Sequence, residues 1–108
     1  MNILRYRYLQ ILSVVVLVFI AGCKKSSLDI SRLYTPTSAD VTTNATLPEL
    51  LQGRTLYINN CSTCHALASP DDYSPSQWKG ILGTMAPRTG LSSSEVLLVT
   101  KYVSKGKQ

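Results

Sequence analysis

The chain has 108 residues, a formal net charge of +5, three cysteines and a single histidine. A chain of this length holds one small domain at most. Its basic residues form no long run and are not interleaved with aromatic residues, which argues against a nucleic-acid partner. From Thr46 onward six basic residues stand against four acidic ones, so this part of the chain has a net charge of only +2.

Residues 1–22 have the composition of an export signal. Arg5 and Arg7 precede a nearly continuous apolar stretch from Leu9 to Ala21, which is short for a helix that crosses ~30 Å of hydrocarbon. The stretch ends in Ile-Ala-Gly-Cys, which resembles the lipobox at which a bacterial lipoprotein signal peptidase cuts. The resemblance implies that Cys23 becomes the first residue of the mature protein and carries a lipid anchor.

The alternative is an uncleaved N-terminal anchor with an incidental cysteine at position 23. Both interpretations leave the remaining chain tethered to a membrane and outside the cytoplasm. We therefore expect it in the bacterial cell envelope, on the periplasmic or outer-surface side of a membrane.

Residues 23–45 are rich in Ser and Thr and show no sustained apolar periodicity, which predicts a flexible tether. A flexible chain of this length spans roughly 25 Å on average. In the alternative, the apolar residues of this segment pack onto the domain that follows; these are Leu28, Ile30, Leu33 and Tyr34.

Residues 46–108 carry three helix signals. Each begins with a capping box, in which a Ser or Thr is followed three residues later by Glu or Gln, and continues with apolar residues at helical spacing. We therefore predict an all-α domain with three main helices. A domain this small buries little apolar surface and needs a further source of stability. The boxes begin at Thr46, Ser74 and Ser92, and the predicted helix ends are Asn60, Pro87 and Lys105.

Residues 61–65 spell Cys-Ser-Thr-Cys-His at the end of the first predicted helix. The pattern C-x-x-C-H is the attachment site of a c-type haem. Cys61 and Cys64 would form thioethers with the two haem vinyl groups, and His65 would bind the iron. One covalent haem c would also supply the apolar area and the crosslinks that a small domain lacks.

Other uses of the cysteine pair account for fewer of these residues. A thioredoxin-like pair needs a βαβ context, and the sequence shows no strand pattern. A structural zinc site needs four ligands, whereas Cys61, Cys64 and His65 supply three. A plain disulfide leaves His65 without a role.

Residues 46–104 resemble a class I cytochrome c of the short bacterial monohaem type. The resemblance rests on Gly53 and Tyr57 at the Gly-x-x-x-aromatic spacing, on the C-x-x-C-H motif, on a downstream Met85, and on a terminal helix with aliphatic and aromatic residues. In that family the glycine faces the last helix and lets the two backbones approach closely.

The resemblance also implies a set of haem contacts. Met85 follows His65 by 20 residues, is the only methionine after the signal, and would be the second iron ligand. Without haem, Met85 would be an ordinary core residue. Trp78 is expected to pack against the haem, with its indole N–H within reach of a propionate. A loop proline in the family supplies the carbonyl that accepts the histidine N–H; here Pro70 and Pro75 both come early.

The implied function is that of a membrane-tethered cytochrome that passes single electrons between redox partner proteins. These partners would be a dehydrogenase, an oxidase or a reductase. The sequence shows no acid–base pair and no substrate motif, so we expect an electron carrier and not an enzyme. The alternatives are a five-coordinate haem protein that binds or senses a small gas, a haem subunit of a larger oxidoreductase complex, and a thiol oxidoreductase.

Overall fold

The computed structural model describes residues 3–5, 7–11 and 30–107. The first two short stretches are helical. The proposed cleavage site and Cys23 lie outside the described residues. Within the described ranges, no helix is both long enough and apolar enough to cross a membrane.

Three helices form the domain. Helix α1 spans Leu47–Cys61, α2 spans Pro75–Met85 and α3 spans Ser93–Val103. Across residues 30–107 the only β-type pairing is an isolated bridge between Thr42 and Ala45. The prediction of an all-α fold with three main helices is confirmed. Short 3-10 turns lie between the helices and before them, at Ile30–Arg32, Ser38–Asp40, Pro70–Asp72 and Ala86–Arg88.

Each helix begins at its predicted capping box. The Ser74 N–H donates to Gln77 Oε1 at 2.9 Å, and the Gln77 N–H donates back to Ser74 Oγ at 3.3 Å. The same two bonds join Ser92 to the residue three positions later. At α1 the Thr46 N–H donates to Glu49 Oε2 at 2.8 Å. These bonds satisfy backbone donors that the first turn of a helix leaves free, so the local sequence determines where each helix starts.

Helices α1 and α3 cross at Gly53. A Cβ atom at this position would lie 2.1 Å from the Leu98 carbonyl oxygen and 2.9 Å from Tyr102 Cβ. The glycine therefore faces the last helix, as the family resemblance implies. The buried side chains around this crossing form the core, together with two from α2; they are Tyr57, Val99, Tyr102, Val103, Trp78 and Leu82.

One ion pair adds to the contact between α1 and α3. Lys101 Nζ lies 2.6 Å from Glu49 Oε1. The Lys101 ammonium and the Thr46 N–H lower the pKa of Glu49 to about 2. The carboxylate is therefore charged at neutral pH, when it also favours the positive end of the α1 dipole.

Residues 30–45, which we call the strap, pack against the helices. Leu33 and Ala45 are buried. The Tyr34 ring stacks on the Tyr102 ring, with the centroids 5.8 Å apart and the planes 18° apart. Over residues 30–45 the alternative is the one present, because Leu33 and Tyr34 pack onto the helices, while residues 23–29 of the predicted tether lie outside the described residues.

The strap is held mainly through its backbone. The Tyr34 carbonyl accepts from the Tyr102 hydroxyl at 2.8 Å and from Arg54 Nε at 3.1 Å. Farther along, the Thr42 hydroxyl donates to the Gly106 carbonyl at 3.2 Å. Gly106 has a φ of 68°, and a Cβ there would lie 2.7 Å from Thr42 Oγ1, so this contact requires glycine.

Replacing Gly53 with Ala tests the helix crossing. The added Cβ has no room, so we expect Gly53→Ala to lower the free energy of unfolding by about 1–3 kcal/mol. Gly80→Ala in α2 is the matched control, because nothing lies within 4 Å of a Cβ there. The control should gain about 0.5–1 kcal/mol, as helix-interior glycines do on replacement by alanine. Urea unfolding of both variants measures the difference, and equal effects would contradict the close crossing.

Candidate haem site

The C-x-x-C-H motif lies where α1 ends. Cys61 is the last residue of the helix, and residues 62–64 turn away from it. Cys61 is half-buried and packs against the core, whereas Cys64 is exposed, and both thiols are free. Burial raises the pKa of the Cys61 thiol. Because α1 is fixed against α3, the core determines the position of the first thiol.

His65 is exposed, and its Nδ1 lies 2.8 Å from the Ala66 carbonyl oxygen. A carbonyl oxygen can only accept, so Nδ1 carries the proton and the lone pair of Nε2 is available to bind a metal. A backbone carbonyl on the other ring nitrogen is a common partner of metal-binding histidines. In the structure the carbonyl on Nδ1 is that of Ala66, whereas the family resemblance pointed to a proline.

The Pro70 carbonyl has a different partner. It accepts the Trp78 indole N–H at 3.0 Å, and Trp78 is only 2% exposed. The Trp78 ring makes edge contacts with Tyr57 and Tyr73, at centroid distances of 6.1 and 5.2 Å. The suggestion that this N–H reaches a propionate is therefore corrected, because the N–H is already bonded inside the protein. Trp78 stabilises the segment that follows His65.

Other bonds hold the same segment. The Tyr57 hydroxyl donates to the Ala68 carbonyl at 2.9 Å. The Ser69 N–H donates to Asp72 Oδ2 at 2.7 Å, in a further capping box that was not predicted from the sequence. Lys105 forms an ion pair with Asp71. The segment after the motif is thus connected to α1, α2 and the C-terminal turn.

Met85 ends α2 and is 39% exposed. Together with Cys61 it lines a narrow apolar pocket of about 10 Å³. Cys64, His65 and Trp78 do not line this pocket. The structure therefore brings Met85 to the first motif cysteine but not to the histidine.

The narrow pocket adjoins a larger groove between α2 and α3. The groove has a volume of about 980 Å³ and a mainly apolar lining. The pocket and the groove share four wall residues, which are Leu82, Ala86, Leu91 and Val96. The two cavities together form an apolar surface beside the Cys61 thiol, of the kind that binds a porphyrin, whereas Cys64 and His65 line neither of them.

The residues present fit a covalent haem. Two free thiols stand at the attachment spacing, an imidazole nitrogen is available, and a thioether lines the same pocket as the first thiol. Thiol, imidazole and thioether groups are the ligand and attachment chemistry of c-type haem. Among the described residues, no group of three or more His, Cys, Asp or Glu side chains could hold a metal ion directly.

Over about half its length the chain is similar to a c-type cytochrome. This relative is the cytochrome c-type protein TorY of Haemophilus influenzae, with 36% identity over 53 residues. The aligned region is 49% of this chain and 14% of the relative, so the chain spans only a small part of the length of the protein it matches. No family model and no solved structure matches the chain.

Replacing Trp78 with Phe tests the bond to Pro70. The change keeps an aromatic ring but leaves the Pro70 carbonyl without its partner, so we expect a loss of about 1–3 kcal/mol in the free energy of unfolding. Tyr73→Phe is the control: it keeps the ring contact and removes an exposed hydroxyl, and it should change stability by less than about 0.5 kcal/mol. Urea unfolding compares them, and a Trp78→Phe protein as stable as the control would rule out a structural role for the bond.

Proposed function

We propose that the chain is a membrane-tethered monohaem c-type cytochrome that passes single electrons between redox partner proteins. The main support is the C-x-x-C-H motif at the end of α1, in an all-α domain whose first and last helices cross at Gly53. The similarity to a cytochrome c-type protein adds independent support.

In this proposal Cys61 and Cys64 hold the haem c through thioethers, while His65 and Met85 bind the iron. When bound, the haem supplies a centre that alternates between the ferric and ferrous states. The Ala66 carbonyl fixes the tautomer and orientation of His65, because it accepts the Nδ1 proton. The thioether of Met85 favours the ferrous state and raises the reduction potential. The chain supplies ligands and an apolar cavity, so we propose an electron carrier and not an enzyme.

The exposure of Met85 favours a second candidate function. Met85 is 39% exposed and does not share a pocket with His65. If Met85 does not bind the iron, the haem is five-coordinate. The open position on the iron would then bind a small gas, and the protein would be a gas-binding or gas-sensing haem protein.

The Met85→Leu variant distinguishes the two functions. The substitution keeps the volume and removes the sulfur. In the electron carrier, the oxidised wild-type protein shows the weak far-red absorption band of methionine–ferric haem ligation. Met85→Leu should lose this band, bind carbon monoxide in the reduced state and have a lower reduction potential. Gln52→Ala, on the exposed surface of α1 and in the lining of neither cavity, is the control and should keep the band.

A wild-type protein that lacks the band and already binds carbon monoxide would contradict the carrier and support the gas-binding protein. A protein without any haem absorption would contradict both functions.

We also propose that residues 1–22 are removed and that a lipid on Cys23 anchors the mature protein in the bacterial cell envelope. The order of basic residues, apolar core and Ile-Ala-Gly-Cys supports this. Stable anchoring needs more than one acyl chain, and a bacterial lipoprotein carries two or three.

Replacing Cys23 with Ser tests the anchor. The variant should remain unprocessed or leave the membrane fraction, because serine cannot form the lipid thioether. Ser26→Ala, three residues later, is the control and should be processed as the wild type is. Cell fractionation followed by mass spectrometry of the N-terminus measures both, and normal processing of Cys23→Ser would contradict the lipid anchor.

A further inference from the structure

The strap shortens the free chain between the proposed lipid and the folded domain. With a tether that ended at Thr46, the chain from Cys23 would extend to about 80 Å at ~3.6 Å per residue. Ile30 is the first residue of the strap, and the same rise gives at most about 25 Å from Cys23 to Ile30. The domain therefore stays close to the membrane surface that holds its anchor.

The strap is firmly attached at the end nearest the lipid. Arg54 donates from Nη2 to the Ile30 carbonyl at 3.5 Å and from Nε to the Tyr34 carbonyl at 3.1 Å. On its other side the Tyr34 ring lies under the Lys105 ammonium, which is 4.7 Å from the ring centroid. These contacts join the strap to both α1 and the C-terminal turn. The place where the chain from Cys23 enters the domain is therefore fixed.

The surface around this entry point combines apolar and cationic side chains. We define the strap face as Ile30, Arg32, Leu51 and Arg54. Ile30 and Leu51 are 42% and 41% exposed, and Leu51 is a neighbour of Arg54 on α1 because the two residues are three positions apart. Neither arginine forms an ion pair with any residue of the described ranges.

This composition suits one kind of surface. Exposed aliphatic side chains enter the headgroup region of a bilayer, and unpaired arginines are attracted to anionic headgroups. The acidic residue closest to Leu51 on α1 is Glu49, which is already paired with Lys101. The strap face therefore carries a net positive charge beside two apolar side chains.

We propose that the strap face lies on the anionic lipid surface of the membrane that holds the anchor. The inference rests on the proposed lipid on Cys23. Ile30 follows Cys23 by only seven positions, so this short connection brings the strap face to the lipid before the rest of the domain. The redox partners would then be proteins embedded in, or bound to, the same membrane.

A single labelled cysteine tests the orientation. In the mature holoprotein Cys23 would carry lipid and Cys61 and Cys64 would carry haem, so Leu51→Cys introduces the one free thiol. Ser94→Cys is the matched control, because Ser94 is also exposed, lines neither cavity and lies at the start of α3, whereas Glu49 near Leu51 pairs with Lys101 toward the end of α3.

Each full-length holoprotein is labelled with a fluorophore and reconstituted into vesicles of phosphatidylcholine and phosphatidylglycerol with a nitroxide-headgroup lipid as quencher. We expect severalfold stronger quenching at position 51 than at position 94. Equal quenching, or stronger quenching at position 94, would overturn the inference. Vesicles without phosphatidylglycerol should weaken the quenching at position 51, and unchanged quenching there would overturn the anionic surface.

The failure of the inference is distinguishable from the failure of the proposed function. Sedimentation with the vesicles tests the lipid anchor, and haem absorption tests the cytochrome. Labelled protein that stays in the supernatant overturns the anchor and the inference together. Labelled protein that sediments with equal quenching at both positions overturns the inference alone.

Discussion

The close contact between the backbones of α1 and α3 at Gly53 is the constraint on which the rest of the domain depends. The Leu98 carbonyl occupies the space that any side chain at position 53 would need. The contact fixes the direction of α1 and so the place where Cys61 ends it. One turn after the glycine, Tyr57 donates to Ala68 and thereby holds the segment after the motif. A single helix crossing thus positions both the first thiol of the motif and the chain that follows His65.

The strap extends this arrangement toward the proposed lipid. Tyr34 stacks on Tyr102 of α3, and its carbonyl accepts from Arg54 of α1. Lys105 contacts the Tyr34 ring and also pairs with Asp71, which lies in the turn after the motif. The strap and the segment after the motif are therefore joined through one lysine. A lipoprotein cytochrome built this way would keep its electron-transfer site at a defined height above the membrane.

Much of the fold could be predicted from the sequence because it is determined locally. Capping boxes and apolar spacing act within a few residues, so the starts at Thr46, Ser74 and Ser92 follow from short segments. For the strap, the sequence offered packing of Leu33 and Tyr34 only as an alternative. Its contacts could not be predicted, since they join residues as far apart as Tyr34 and Tyr102 and depend on carbonyl oxygens that every sequence has.

In the site, the sequence identified the motif, but the hydrogen-bond partners came only from the structure. The resemblance implies that Trp78 packs against the haem with its indole N–H within reach of a propionate. Nothing in the sequence around Trp78 predicts the bond of this N–H to a carbonyl eight residues earlier.

The most direct test of the account is the haem content of purified mature protein after denaturation and acid–acetone extraction. The account predicts one c-type haem per chain that stays with the polypeptide, and none on a Cys61→Ser, Cys64→Ser double variant. A wild-type chain that retains no haem, or from which the haem is extracted, would contradict it.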